Sequence, residues 1–359
     1  MDNKSPQIDF PNYVAGDSVA KLGGPYTNDL IGYKKTTWGG EIHFDPIKQV
    51  RFGVEYTHDK MNHQFREYED NTVKTWKGTL DLNFATWVSF RASYSDITND
   101  PGTTNEDAAL NDFSSQYDIW RRDTTQYNAL LTLTPLSDLA VSLSTQYSKD
   151  KYPDSIFGRT GCKYDNYGVD ISYALGEKFS IYGSYMYEKY NYDMASEYRT
   201  AVPGNAIDNW WNNSEDKVDT YTLGVIIKPL VDKCEITSDF TYSKGTSASG
   251  FTFVPGGNTA GVGTISDGIF AGVQYNAYPL LWNKYTKWTT KLNYHFNKNL
   301  SASISYILQK YEGHDWASDI VQPLPPSLEG ANLSAWKLLG AIVPDYDANI
   351  FQFFVKFSF

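Results

Sequence analysis

The chain has 359 residues, enough for one large domain or two of ordinary size. Its 41% hydrophobic content argues against disorder, and its formal net charge of −11 argues against a nucleic-acid partner, which requires a basic face. The cysteines Cys162 and Cys234 form no CxxC motif, which excludes a zinc ribbon, a thioredoxin motif and the usual covalent haem attachment site.

The chain begins with a weakly patterned segment and continues as a long series of alternating segments. Residues 1–34 are interrupted at Pro11 and Pro25, and we expect an irregular N-terminal segment or a weak first strand there. From Thr37–Phe44 to Ile350–Phe359, about thirteen segments alternate between apolar and polar residues. This alternation is typical of β-strands with two different faces.

The connections between these segments alternate between short and long. Short turns are predicted at residues 45–48, 85–86, 135–138, 174–178, 229–233 and 296–299. Long polar loops are predicted at residues 97–115, 191–216, 245–283 and 313–346. Outer-membrane β-barrels have this asymmetry, with short periplasmic turns and long external loops. No apolar segment approaches the roughly 20 residues that a transmembrane helix needs.

Tyrosines recur at a fixed distance after the short turns. Eight residues of strand span about 26 Å, close to the apolar band of such barrels, about 25 Å. We therefore predict an aromatic girdle formed by Tyr56, Tyr94, Tyr147, Tyr187, Tyr242 and Tyr306.

The last strand ends on a series of apolar side chains. We predict that it closes the barrel with one face toward lipid, and it resembles the C-terminal assembly signal of bacterial outer-membrane proteins. That face comprises Phe351, Phe353, Val355, Phe357 and Phe359. The alternative is the edge strand of a soluble sheet.

The predicted fold is all-β: an antiparallel transmembrane β-barrel over residues 35–359, placed in a bacterial outer membrane. About thirteen strands are recognisable, whereas single-chain bacterial barrels usually have an even number. Two alternatives stay open. One is a barrel of about 14 strands with an irregular first strand, and the other is an N-terminally truncated part of a larger barrel.

Charged and polar residues on the opposite strand face are predicted to line the lumen, as a wetted wall or as a contact surface for an inserted protein. These are Arg51, Glu55, Lys77, Asp81, Arg91, Asp170, Glu235, Asp239, Lys291 and His295. No catalytic residue and no metal site is predicted. A barrel hydrolase built around His314 is a third reading, and the chain lacks the G-x-S-x-G motif that it would need.

Four stretches resemble a known family: TPLSDLAVSLSTQYSKDKYPDSIFG, YGVDISYALGEKFSIYGSYMYEKYNYD, EDKVDTYTLGVIIKPLVDKCEITSDFTYSKGTS and the ending DYDANIFQFFVKFSF. They are similar to the C-terminal half of the MtrB/PioB family, outer-membrane barrels associated with decahaem c-type cytochromes. Members of that family are commonly longer than this chain, and some carry an N-terminal CxxC.

The resemblance implies a non-catalytic sheath around a multihaem c-type cytochrome, in a conduit that carries electrons across the outer membrane. Haem would then be carried only by the partner, a periplasmic cytochrome, with an extracellular cytochrome and the lipid bilayer as further partners. A lumen of about 14 strands would be narrow for such a partner. The alternative function is a diffusion porin or substrate channel without a redox partner.

Overall fold

The computed structural model describes residues 2–4, 9–10, 26–27, 32–63, 69–102, 121–153, 158–198, 208–228, 233–254, 274–315 and 345–358. Every regular element in this part of the chain is a β-strand, which confirms the prediction of an all-β fold. None of the described segments is a helix long and apolar enough to cross a membrane. The C-terminal Phe359 lies outside the described residues.

Seventeen strands are present in the described residues, four of them very short. The short ones are β1 (Asp2–Lys4), β2 (Asp9–Phe10), β3 (Tyr26–Thr27) and β14 (Gln274–Ala277). The first seven long strands are β4 (Gly32–Ile47), β5 (Val50–His63), β6 (Asp70–Ala85), β7 (Val88–Pro101), β8 (Arg122–Leu136), β9 (Leu139–Lys151) and β10 (Gly158–Leu175). The remaining six are β11 (Phe179–Tyr198), β12 (Asp208–Ile227), β13 (Cys234–Val254), β15 (Leu281–His295), β16 (Leu300–His314) and β17 (Tyr346–Phe357).

The long strands form one antiparallel sheet in which each strand pairs with the next along the chain. The order is β1, β4 to β13, and β15 to β17, with β14 attached beside β13 and β2 paired with β3 separately. Nearest-neighbour pairing follows from short connections, because a tight turn can return the chain only to an adjacent antiparallel position.

The tight connections all lie at one end of the sheet, which we call the turn end; the opposite end is the loop end. The described turns at the turn end are residues 48–49, 86–87, 137–138, 176–178 and 296–299. Gly176 has a φ of 66°, a left-handed conformation that glycine adopts without steric cost. The end of β17 is also there, since the Ser358 amide donates to the Asn299 carbonyl at 2.8 Å.

Several predicted boundaries are wrong, and most errors occur at the loop end. The predicted loop 191–216 is largely strand, because β11 continues to Tyr198 and β12 begins at Asp208. The predicted turn 45–48 is also misplaced, since β4 runs to Ile47 and the turn is at 48–49. Backbone pairing extends the strands past the point where apolar alternation ends, because ladder hydrogen bonds do not require apolar side chains.

The described sheet does not close on itself. On one edge β4 pairs with β1 only through Gly32 to Lys34, and on the other edge β17 has no described neighbour besides β16. Strands β4 and β17 both run from the loop end to the turn end, so direct pairing between them would be parallel. Antiparallel closure therefore needs an odd number of further strands between these two edges.

The sheet is a single layer without a hydrophobic core of its own. Among the described residues, only Tyr152 and Ala195 are buried hydrophobic side chains. Side chains on both sheet faces are therefore exposed, and each face is a candidate binding surface.

Candidate functional site

Strand register separates the side chains into two continuous faces. We call the face that carries Arg51 the inner face and the face that carries Tyr147 the outer face. Because directly opposed residues of neighbouring strands point to the same side, the face can be followed from strand to strand. The register places all of the predicted lumen residues on the inner face: Arg51, Glu55, Lys77, Asp81, Arg91, Asp170, Glu235, Asp239, Lys291 and His295.

A row of paired charges crosses the inner face of β4 to β7 near the turn end. Arg51 lies directly opposite Asp81, which lies directly opposite Arg91 on the next strand. The Arg51 guanidinium donates two hydrogen bonds to Asp45, at 2.8 and 3.0 Å, and Arg91 donates to Asp81. These four residues line a cavity of about 760 Å³. Sequence reasoning missed Asp45, because it assigned that residue to a turn.

Other predicted lumen residues form smaller groups. Lys77 lies 3.6 Å from Glu55, which is directly opposite it. Glu235 accepts a hydrogen bond from Asn293 at 3.4 Å, and Asp239 accepts one from the Tyr182 hydroxyl.

Three predicted lumen residues are not brought into a charged cluster. Asp170 lies between serines of the two neighbouring strands, Lys291 lies between Thr237 and Ser305, and His295 lies opposite Ser301. The inner face is thus a set of separate polar contacts and not one converging site.

Much of the inner face from β9 to β16 consists of short side chains. Members of this group are Ala140, Ser142, Ser144, Gly168, Ser172, Ser184, Thr220, Thr222, Gly224, Thr237, Thr241, Ser243, Thr289, Ser301, Ser303 and Ser305. Hydroxyls within the group bond to one another, as between Thr220 and Ser243 at 3.1 Å. Because these side chains are short, the strand backbone lies close to whatever occupies the space next to the inner face.

An aromatic cluster lies on the inner face of β10 and β11 toward the loop end. The rings of Tyr164 and Tyr190 are 4.5 Å apart, and both hydroxyls donate to Glu188, at 3.1 and 3.4 Å. The Arg159 guanidinium lies 5.0 Å from the Tyr192 ring. Sequence reasoning missed this cluster. The alternation of strand positions could have revealed it. Tyr187 is odd-numbered and lies on the outer face, so the even-numbered tyrosines of the same strand lie on the inner face.

The outer face carries the six tyrosines predicted as a girdle, and their girdle role stays a prediction. The ring centroids of Tyr94 and Tyr127 are 5.0 Å apart, and those of Tyr127 and Tyr147 are 6.1 Å apart. Several further aromatic residues, which the tyrosine spacing did not predict, extend these contacts: Trp38, Trp76, Tyr127, Tyr167, Tyr185 and Tyr221.

Between the turns and the tyrosines, the described outer-face positions carry no charged side chain. Leu131, Leu143 and Val169 lie directly opposite one another there on three successive strands. The same band continues into β17, where Phe351, Phe353, Val355 and Phe357 lie on the outer face and are more than half exposed. Phe354 lies on the inner face, opposite Ser303.

The histidines of β5 toward the loop end have partners within the sheet. His58 stacks on Trp38 with ring centroids 4.9 Å apart, and His63 shares a hydrogen bond with Asn71 at 2.7 Å. No group of three or more His, Cys, Asp or Glu side chains in the described part of the chain is arranged to hold a metal ion.

Comparison with known proteins gives a family and a curated relative. The family model described as "Putative outer membrane beta-barrel porin, MtrB/PioB" matches residues 1–359. The chain is 27% identical over 274 residues to "Outer membrane protein MtrB" of Shewanella baltica (strain OS185). The alignment covers 75% of this chain and 36% of the relative, so the chain spans about a third of the length of the curated relative it matches.

Two solved outer-membrane receptors align with this chain. The ferric yersiniabactin uptake receptor FyuA from Yersinia pestis aligns with a TM-score of 0.45 and 9% identity, over 79% of this chain and 52% of the receptor. The siderophore receptor PirA from Acinetobacter baumannii aligns with a TM-score of 0.36 and 6% identity, over 90% of this chain and 64% of the receptor.

Proposed function

Because the chain belongs to the MtrB/PioB family of outer-membrane β-barrel proteins, we propose that it forms barrel wall around a multihaem c-type cytochrome. In this proposal the barrel is non-catalytic, and the partner carries all of the haem and conducts electrons across the outer membrane. The family is described as porin-like, not as a family of enzymes.

The inner wall of short side chains is the observation that carries the proposal. Barrels that fill their own lumen do so with side chains, whereas wide barrels leave space for water or for a plug. Ser142, Ser184 and Thr222 project little from the backbone, and their hydroxyls can exchange water for the polar surface of a protein. The open sheet edges of β4 and β17 are consistent with a wider barrel than these strands alone would form.

The two ends of the sheet would meet different partners. Short turns face the periplasm in outer-membrane barrels, so a periplasmic cytochrome would enter beside the paired charges of Asp45, Arg51, Asp81 and Arg91. Since these charges neutralise one another, they would orient a partner more than they would attract it. An extracellular cytochrome would dock at the loop end.

A diffusion porin is the second candidate, and the same charge row supports it. Opposed arginines and aspartates beside a cavity of about 760 Å³ resemble the polar lining that would select solutes in a water-filled channel. In that case the inner wall would contact water alone.

The test is affinity capture of the full protein from native outer membranes after mild detergent extraction, followed by a reduced-minus-oxidised haem spectrum. We expect a c-type haem signal in fixed ratio to the barrel. Thr222→Trp should lower that ratio, because its ring would project from the inner wall, whereas the adjacent outer-face variant Leu223→Trp should not. A colourless, monodisperse barrel with bilayer conductance would refute the sheath and favour the porin.

A further inference from the structure

Pairs of lysines lie directly opposite each other on the outer face toward the loop end. Like charges in directly opposed positions of neighbouring strands destabilise a sheet. Three such pairs occupy six neighbouring strands, β9 to β13 and β15: Lys149 with Lys163, Lys189 with Lys217, and Lys244 with Lys284. A repeated unfavourable arrangement calls for a compensating anion.

The lysine pairs lie just beyond the tyrosines. Lys149 follows Tyr147 by two residues, and Lys244 follows Tyr242 by two, so each is about 7 Å closer to the loop end. Tyrosines of this kind mark the level of the lipid headgroups, and long loops mark the outer leaflet. The lysines therefore lie at the headgroup level of the outer leaflet.

One of the three pairs already has its compensating anion within the chain. Glu215 lies on the same face, 2.6 Å from the Lys189 ammonium, and it also contacts Lys217. This internal arrangement shows how a single anionic group can bridge two opposed lysines.

The Lys244–Lys284 pair is flanked by two acids, because Asp219 lies directly opposite Lys244 and Glu312 lies directly opposite Lys284. The Lys149–Lys163 pair is flanked by Thr125 and Asn191 and has no directly opposed acid. No ion pair within 4 Å joins Lys149 or Lys163 to an acidic residue of the described chain.

Two outer-face acids lie diagonal to Lys149, and each is directly opposite another lysine. Asp165 lies opposite Lys189, and Asp123 lies opposite Lys151. The Lys149–Lys163 pair is thus available to a group from outside the chain.

We propose that the Lys149–Lys163 pair binds a phosphorylated lipid headgroup of the outer leaflet. Lysine ammonium groups bind phosphate as point charges, and two opposed lysines can bind one phosphate as Lys189 and Lys217 bind Glu215. The Lys189–Lys217 pair is a weaker site, because Glu215 already contacts both of its ammonium groups.

The test uses the full protein reconstituted in phosphatidylcholine vesicles that contain spin-labelled phosphatidic acid. Electron paramagnetic resonance gives the fraction of labelled lipid immobilised at the protein surface. We expect a preference for phosphatidic acid over labelled phosphatidylcholine. K149Q/K163Q should reduce this preference by about 25-fold, because each lysine near an anionic surface contributes about fivefold. The control K189Q/E215Q/K217Q should change it little.

Thermal unfolding, followed by gel migration, provides a second readout. In phosphatidylcholine alone, K149Q/K163Q should be as stable as the unchanged protein or more stable, because the repulsion between the lysines is removed. In vesicles that contain phosphatidic acid, the unchanged protein should be more stable than K149Q/K163Q. A preference equal in both proteins, or no reversal, would overturn the proposal. Displacement of the labelled lipid by millimolar inorganic phosphate would also overturn it, since free phosphate would then be the ligand.

Discussion

Leu143 offers a direct test of which sheet face meets lipid. It lies on the outer face of β9, opposite Leu131 on one side and Val169 on the other, and its side chain is 41% exposed. Four residues separate it from Leu139 at the turn end and four from Tyr147, about 13 Å in each direction. Replacement by arginine would therefore place a charge near the middle of the apolar band.

The expected cost follows from this depth. Arginine at the bilayer midplane of an outer-membrane barrel destabilises it by about 2–4 kcal/mol, and the cost falls to about 0–1 kcal/mol near the interfaces. We expect Leu143→Arg to show the midplane value. The adjacent Ser142→Arg should cost less than about 1 kcal/mol, because Ser142 is on the inner face opposite Asp170.

The measurement is guanidinium unfolding of the full protein in phosphatidylcholine vesicles, with the folded fraction read from heat-modifiable gel migration. The comparison between neighbouring residues removes differences in strand propensity and position along the chain. Equal destabilisation by the two arginines, or a larger effect at Ser142, would show that the assignment of the faces is wrong.

Three further predictions address other parts of the sheet. Gly176→Ala should lower stability by about 1 kcal/mol in the same unfolding assay, because alanine is strained at a φ of 66°. Arg91→Ala should change stability by less than about 1 kcal/mol, since its ion pair with Asp81 is exposed, and a larger loss would indicate a role in packing. Phe353→Asp should reduce the amount of folded protein in outer-membrane fractions several-fold, whereas Gln352→Asp, on the opposite face, should not.

Face assignment could be predicted from the sequence because a strand has a period of two residues. Once Leu139, Val141 and Leu143 were assigned to one face, Ser142 and its opposed partner Asp170 had to lie on the other, and the register places them there. The number of long strands and the positions of the tight turns could also be predicted, since each tight turn is short and rich in turn-forming residues.

The ends of the strands and the inner-face aromatic cluster could not be predicted from the alternation of residues. Polar alternation around Tyr198 and Asp208 looks like a loop, and only backbone pairing shows that β11 and β12 continue there. Tyr164 and Tyr190 sit in stretches with tyrosines on both faces, so composition alone does not assign them. Asp45 required knowledge of where β4 ends.

The absence of a core in the described sheet bears on how a lumen partner could bind. An occupant would bury many serine, threonine and glycine residues on the inner face of β9 to β16, and such residues contribute little hydrophobic free energy. In the proposed sheath, most of the stability of the barrel would then come from its backbone ladder and its contacts with lipid. Affinity for a partner would come mainly from the two ends, where the paired charges of Arg51 and Asp81 and the long loops are found.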